Sequence, residues 1–313
     1  MKKRKLGTSG IEVSEIGFGT NYIGGHNLYE KVDEEEGVRL VRRAVDLGIT
    51  LIDTADVYGM GRSEELVGKA LKGRRESVVL ATKGGIRFDG KSRAGVSNDP
   101  AYLREALAAS LKRLGTDHID LYYIHRPDGK TPPEEAFGAL MRFKEEGLIR
   151  AAGVSNFELS DIRSALKSGP VDAVQSRYNL LQREVEAEIL PFCSERGIGF
   201  IPWGPLAFGL LGGKYTRDFK LSEKDWRHRS GAFDPEVYDK NIETVEKLKE
   251  IAAEKSIPVG HLAVQWLLSK GEVASVIAGA KRVEQLEENA QADRSILSID
   301  EIVRIQAMTH RGR

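Results

Sequence analysis

One cysteine in 313 residues leaves no partner for an internal disulfide, so the fold has to stand on packing alone, as in a reducing cytoplasm. Cys193 ends the apolar run Ile189-Leu-Pro-Phe-Cys193 with no histidine beside it, and reads as a helix filler rather than a nucleophile. An excess of one charge is equally lacking. Lys and Arg total 47 and Asp and Glu total 47, so no long-range field gathers phosphate backbones or an anionic leaflet, and neither nucleic acid nor membrane is expected as a partner. The most apolar stretch, 197–213, is too short and too broken by glycine and proline to span a bilayer. The start, Met1-Lys-Lys-Arg-Lys-Leu6, runs into Gly7-Thr-Ser-Gly10 instead of an apolar core with a cleavage site. No secretory signal is therefore expected, a cytoplasmic location is, and the four cations read as the solvated edge of a hairpin. The histidines at 26, 118, 125, 228, 261 and 310 form no H-x-H or H-E-x-x-H pair, so no metal site is expected.

No linker or low-complexity tract divides the chain, which predicts a single domain over 1–313. What is present is an alternation of short β-branched or aromatic runs with stretches of 3.6-residue period, the pattern of βα units and a parallel sheet. Strands are predicted at 15–20, 50–55, 77–83, 118–125, 149–156, 173–179, 197–204 and 273–280. Helices are predicted at 34–47, 63–71, 101–114, 133–146, 158–168, 185–196, 235–255, 259–268 and 283–292, with Ser63 and Asp99 as caps and Gly48, Gly115, Gly147 and Gly197 past helix ends. The segment 5–13 reads as a hairpin that would plug the bottom of a barrel. After the seventh strand 68 residues intervene before Val273, a long loop over 205–234 followed by an extra helix.

Eight such units allow a closed barrel or an open doubly wound sheet. The open sheet would bind a dinucleotide through G-x-G-x-x-G, but Gly59-Met-Gly61-Arg-Ser-Glu64 and Gly17-Phe-Gly19-Thr-Asn-Tyr22 both fail at the third glycine, and Gly212-Gly213-Lys214-Tyr215 lacks the Walker A pattern. The predicted fold is α/β, a (β/α)8 TIM barrel. In that fold the active site lies at the C-terminal strand ends. Strand two delivers Asp53 with Tyr58 just beyond, strand three Lys83, strand four His125. A phenol, with an ordinary pKa near ~10, becomes a useful acid near neutrality if a neighbouring cation stabilises its anion. Lys83 is placed to do this for Tyr58, Asp53 to hold Lys83 charged, and His125 to donate to a carbonyl oxygen. Each residue alone has an ordinary structural explanation; their arrival on three consecutive strand tips is what points to carbonyl reduction.

The segment Gly48-Ile-Thr-Leu-Ile-Asp53-Thr-Ala-Asp-Val-Tyr58-Gly-Met-Gly61-Arg-Ser63-Glu64 resembles the hallmark of the aldo-keto reductases. The resemblance runs from about Lys5 to Ala292. It continues in Ile119-Asp120-Leu-Tyr-Tyr-Ile-His125, Gly153-Val-Ser155-Asn156-Phe157, Val174-Gln175-Ser-Arg-Tyr178-Asn179, Gly204-Pro205-Leu206 with Gly209-Leu-Leu-Gly212-Gly213-Lys214, and Gly279-Ala280-Lys281-Arg282-Val-Glu-Gln285-Leu-Glu-Glu288-Asn289. It implies Asp53, Tyr58, Lys83 and His125 as a catalytic tetrad, a small-molecule carbonyl as substrate and NADP(H) as cofactor. It further implies Ser155, Asn156 and Gln175 at the nicotinamide carboxamide, with Trp203 stacked on the ring. Around the rest of the cofactor it implies Gly19, Thr20, Asn21, Asp53 and Gly279, with Gly204, Pro205, Leu206, Gly209, Leu211 and Lys214 at the pyrophosphate. A tryptophan at 203 resembles the bacterial and channel β-subunit branches, and Gly24-Gly25-His26-Asn27-Leu28-Tyr29 resembles a bacterial branch linked to inositol-catabolism gene clusters.

Lys281 and Arg282, at the start of what reads as the last helix, would meet a 2′-phosphate with their charge and with free helix N–H groups, while Gln285, Glu288 and Asn289 face the adenine. This predicts NADP(H) over NAD(H). Trp226, His228 and Arg229 are candidates for cofactor or substrate contact in a loop that otherwise reads as surface. Two other readings stand beside the enzyme: a cofactor-binding redox-sensing or regulatory barrel with slow turnover, and a structural barrel. Oligomeric state is not legible.

Overall fold

The computed structural model describes residues 1–89, 92–223, 225–294 and 296–309, so His310 lies outside it. A short antiparallel hairpin opens the chain, β1 (Lys3–Lys5) with β2 (Glu12–Ser14). Eight strands then run parallel: β3 (Ile16–Gly19), β4 (Leu51–Asp53), β5 (Val79–Gly84), β8 (Ile119–Ile124), β9 (Ile149–Ser155), β10 (Ala173–Arg177), β11 (Gly199–Trp203) and β12 (Val276–Gly279). They close in that order, β12 pairing with β3 through Val276 to Ile16 and Gly279 to Gly19. A second hairpin, β6 (Ile86–Phe88) with β7 (Arg93–Val96), rises from the end of β5.

Helices α1 (Glu34–Asp46), α2 (Arg62–Leu71), α3 (Pro100–Leu114), α4 (Pro133–Glu145), α5 (Leu159–Ala165) and α6 (Ile189–Arg196) return the chain between strands. After β11 come α7 (Pro235–Glu254) and α8 (Val259–Leu268), and after β12 come α9 (Val283–Asn289) and α10 (Ile299–Thr309). Their stops are chemical. Gly115 and Gly197 close α3 and α6 in the left-handed region, at φ of 65° and 64°, and Asp99 caps α3 by accepting from the N–H groups of Ala101 and Tyr102. Among the described residues no helix is long and apolar enough to cross a membrane.

Two cores follow from this layering. The larger lies between the sheet and the helices, with Phe18, Ile52, Leu80, Tyr122, Val154 and Phe200 facing outward from their strands. The smaller fills the barrel: Leu51, Val79, Ala81, Leu121, Tyr123, Ala151, Ala173, Ile201 and Ile277, joined by Leu6, Ile11 and Val13 of the first hairpin. The hairpin therefore does plug the bottom. Gly7, at φ of 53°, seats it, because a Cβ there would stand 2.6 Å from the Gly197 oxygen and the Gly199 nitrogen.

The departures from the sequence reading are local. Pairing ends earlier than the apolar runs do, so 50–55 and 273–280 shorten to three- and four-residue strands. The stretch 185–196 breaks into a 3-10 turn, Glu184–Glu186, and α6. Ser63 is no cap: α2 begins at Arg62, and the buried Ser63 hydroxyl instead hydrogen-bonds the Thr20 carbonyl and the Thr20 and Thr54 hydroxyls. Strand-end partners outcompeted the helix's own N–H groups for it. The long loop carries two 3-10 turns, Ala207–Gly212 and Trp226–Ser230, and α10 rather than α9 is the last helix. The second hairpin escaped the sequence reading because its arginine- and glycine-rich second strand gives little periodic signal, whereas α10, which the reading also lacks, does show apolar residues at helical spacing.

Candidate active site

Side chains alternate between the faces of a strand, so every second residue points into the barrel. Above the inner-core residues Leu51, Ala81, Tyr123, Ala151, Ala173 and Ile201, the same parity puts Asp53, Lys83, His125, Ser155, Gln175 and Trp203 into the lumen at the C-terminal rim. Six residues from six strands thus converge as a matter of register.

At their centre is Lys83, which is 1% exposed. Its Nζ donates to Asp53 Oδ1 at 2.5 Å and to the Thr54 carbonyl at 2.9 Å, and lies 5.3 Å from the centroid of the Tyr58 ring. Burial pushes its pKa down, but the Asp53 carboxylate and Tyr58 outweigh burial and hold the ammonium above the usual lysine value. Asp53 Oδ2 accepts from Gln175 Nε2 at 2.9 Å, so both carboxylate oxygens are engaged.

Tyr58 starts a 3-10 turn, Tyr58–Gly61, whose Gly59 is at φ of 58° and packs so close to Gly24 that a Cβ would overlap the Gly24 carbonyl. Asn27 Oδ1 accepts the Gly59 N–H at 3.0 Å. The loop after β3 thereby fixes the phenol's turn, a bracing role that no motif at Asn27 announced. Burial raises the Tyr58 pKa, and Lys83, by charge and hydrogen bond, pulls against that rise without overcoming it. Lys83 thus acts on the phenol in the expected direction, while desolvation of the phenolate is the larger effect and holds the Tyr58 pKa above its usual value.

His125 meets Tyr58 edge to face at 6.1 Å between centroids. Burial first, then Lys83, Arg126 and Arg93, push its pKa well below the usual histidine value, so the ring is neutral at pH 7. Among the described residues its Nδ1 has no hydrogen-bond partner.

Beside this group, Asn156 sits at φ of 57° and is held on three sides. Its Nδ2 donates to the His125 carbonyl at 3.0 Å and to Ser155 Oγ at 2.9 Å, and its Oδ1 accepts from Trp203 Nε1 at 3.1 Å. The half-exposed indole is thereby set at a fixed angle, with the Arg177 guanidinium 6.0 Å from the ring. Thr20 is buried and spends its hydroxyl on the Asp53 carbonyl and Ser63, while the Leu211 side chain belongs to the core. Their backbone N–H groups are engaged as well, Thr20 with the Asp53 carbonyl and Leu211 with the Leu206 carbonyl. Gly19 and Asn21 lie at the rim, and a Cβ on Gly279 would come 3.5 Å from Asn21 Oδ1.

The β12 to α9 corner differs from its sequence reading in one respect. The N–H of Lys281 is taken by Gln285 Oε1 at 2.9 Å and that of Val283 by Glu36 Oε1 at 3.2 Å, so these groups at the helix start are already satisfied. Asn289 Nδ2 donates to the Gly279 carbonyl, and the Glu288 carbonyl accepts from His261. The cations remain exposed, Lys281 resting against the rings of Tyr22 and Tyr29 at 5.6 and 4.5 Å. Tyr29 also packs edge to face on Trp226, and Trp226 on Phe208, so the loop after β3 and the loop after β11 meet beside the cleft. His228 is turned away, bonded to the Ser222 carbonyl.

A closed parallel barrel with Asp, Tyr, Lys and His gathered at its rim defines a class, and comparison with known proteins agrees: the family model described as the aldo/keto reductase family matches residues 15–310. The chain belongs to that family and is an oxidoreductase acting on carbonyl compounds. Among similar proteins, the Schizosaccharomyces pombe aldo-keto reductase yakc [NADP(+)] is 39% identical, covering 91% of this chain and 85% of its own, and Bacillus subtilis YhdN is 38% identical, covering 92% and 87%. Among solved structures, the glycerol dehydrogenase AKR11B4 of Gluconobacter oxydans superposes with a TM-score of 0.90 at 32% identity, covering 98% and 94% of the two chains. The holo form of AKR11C1 from Bacillus halodurans does so at 0.83 and 36%, covering 98% and 96%.

Proposed function

We propose that the chain works as one catalytic domain that reduces an aldehyde or ketone to the alcohol at the expense of NADPH, with Tyr58 as general acid. The observation that carries this reading is the buried Lys83 ammonium, fixed by Asp53 and Thr54 and set against the phenol. Burial keeps Tyr58 protonated until a carbonyl oxygen beside it gains negative charge. The proton then passes to that oxygen, and the phenolate left behind faces a fixed cation. Neutral His125 donates an N–H to the same oxygen, and solvent returns a proton to Tyr58. When bound, NADPH supplies the hydride that adds to the carbonyl carbon.

The donor set fits that cofactor. Ser155 and Gln175 offer a hydroxyl and an amide at neighbouring strand ends beside a half-exposed indole that Asn156 holds in place, groups suited to a flat ring bearing a carboxamide. Among the described residues nothing lies within 4 Å of where a Cβ would stand on Gly204 and Gly212, which leaves room for a pyrophosphate against the backbone of 204–214, and Lys281 with Arg282 would meet the 2′-phosphate. The printed name of the fission-yeast relative, with its NADP(+), supports the choice of dinucleotide.

The test pairs turnover with binding. NADPH consumption with 4-nitrobenzaldehyde is measured beside a fluorescence titration with NADP+, using Trp203→Phe to identify the quenched indole. Turnover in the ordinary enzymatic range, about 1 to 10³ per second, supports the reading. Tight binding with negligible turnover would replace it with a cofactor-binding regulator.

A further inference from the structure

The rim carries more positive charge than the reduction of a neutral carbonyl requires. Arg93 lies on β7 opposite Phe88, and Phe88, Tyr58 and Met60 all pack against the same small cluster of Ala55, Val57 and Ile86. Arg126 follows His125 directly, and Arg229 lies in the turn Trp226–Ser230 of the loop after β11. Three segments far apart in sequence bring these guanidinium groups to one mouth. Arg93 feels the charges of Arg126 and Arg229 and interacts with Tyr58, and His125 feels both Arg126 and Arg93.

All three are exposed, and among the described residues none has a carboxylate within ion-pair distance or a side-chain hydrogen bond. Their neighbour Arg227 shows what pairing looks like here: it holds Asp225 at 2.7 Å and the Tyr215 hydroxyl at 2.5 Å. The acid nearest Arg126 in sequence, Asp128, is spent on its own surroundings, accepting from the N–H groups of Asn98, Lys130 and Thr131 and from the Thr131 hydroxyl. A lone surface arginine is merely solvated. Here Arg93 faces the Tyr58 phenol and is opposed by both Arg126 and Arg229, Arg126 adjoins His125, and together they make the carbonyl end of the site positive in a chain with no net charge. The cofactor's phosphate end has separate cations, since the charged neighbours that act on Lys281 are Arg227, Asp225 and Arg282.

We propose that the substrate is an anionic carbonyl compound, an aldehyde or ketone carrying a carboxylate or a phosphate monoester, which Arg93, Arg126 and Arg229 hold while its carbonyl meets Tyr58 and His125. Guanidinium groups suit this role because their planar donors take an oxyanion two bonds at a time. The inference rests on the carbonyl-reductase reading above and narrows its substrate.

The experiment compares kcat/KM for 4-carboxybenzaldehyde and methyl 4-formylbenzoate with NADPH. The ester is the more electrophilic aldehyde, so a charge-blind site favours it. The expected result is an advantage of about tenfold or more for the acid, which shrinks as sodium chloride is raised. The triple variant Arg93→Gln, Arg126→Gln, Arg229→Gln is expected to lower kcat/KM for the acid about tenfold more than for the ester. Glyceraldehyde 3-phosphate against glyceraldehyde repeats the comparison for phosphate; preference in either pair supports the proposal and says which anion is meant. No preference in both pairs, or a preference the triple variant leaves unmoved, overturns it. Calorimetric titration of the NADP+-loaded protein with 4-methylbenzoate and with its methyl ester reads the rim without turnover. If no carbonyl is reduced, the proposed function fails, and tighter binding of the acid than of its ester then still shows whether the rim selects anions.

Discussion

Tyr58 and Lys83 illustrate how one residue's environment sets another's chemistry. Because burial raises the phenol's pKa and Lys83 opposes that rise, removing either partner should act on the proton step and not on cofactor affinity. Tyr58→Phe is expected to lower the single-turnover rate of NADPH oxidation by 4-nitrobenzaldehyde about a hundredfold or more while leaving the NADP+ dissociation constant nearly unchanged. A rate within about threefold of wild type would refute the acid assignment. Lys83→Met should be comparably damaging, since the phenolate would then face an apolar wall. His125 makes a thermodynamic prediction of its own. Its folded pKa is depressed, so below the unfolded value of about 6.5 the unfolded chain takes up a proton that the folded protein refuses. Its contribution to stability is therefore lost as pH falls through that value. Urea midpoints measured from pH 8 to pH 5 should decline less steeply for His125→Gln than for wild type, and parallel profiles would mean that the imidazole is not held neutral.

At the scale of elements, the proposed cofactor reading makes the corner between β12 and α9 the place where NADPH is told from NADH. The helix start contributes less than its sequence suggests, because Gln285 and Glu36 already occupy two of its N–H groups, and the Glu36 carboxylate would sit beside any phosphate. Selectivity then falls to the side chains of Lys281 and Arg282. Charge-assisted bonds of about 1.5 to 3 kcal/mol each predict NADPH bound at least about tenfold more tightly than NADH. The double variant Lys281→Ala, Arg282→Ala should erase that difference in fluorescence-derived dissociation constants. Equal constants for the wild type would show that Glu36 cancels the two cations. Before it can meet a phosphate, Lys281 must also leave Tyr22 and Tyr29, so Tyr29→Ala should tighten NADPH binding if the cation–ring contact competes with the cofactor.

Taken whole, the molecule is a barrel closed at one end and reactive at the other. The first hairpin completes the inner core, with Leu6 fully buried against strand residues separated from it by most of the chain. Leu6→Ala should cost about 2 to 5 kcal/mol in urea unfolding, the range for emptying a packed core site, although it lies at the end of the barrel opposite the chemistry. Gly7→Ala should also destabilise, since its Cβ would meet backbone at the feet of β10 and β11. If either variant unfolds at the wild-type urea concentration, the hairpin is not part of the cooperative core.

The sequence by itself determined the period of the barrel strands and of the helices between them, and therefore the parity of each barrel strand. Once Asp53, Lys83, His125, Gln175 and Trp203 are read as inward residues at the C-terminal ends of their strands, their convergence follows from side-chain alternation and barrel closure. It could not determine what those groups do to one another. Whether burial or Lys83 dominates the Tyr58 phenol, whether Ser63 caps a helix or ties strand ends, and whether the N–H groups at the start of α9 stand free depend on partners 4 to 247 positions away. Hydrogen bonds and desolvation act over a few ångströms of space, and only the closed chain sets those distances. The three arginines at the mouth are the clearest case: each is an ordinary surface residue in its own segment, and they become a site only where a hairpin, a strand end and a long loop meet.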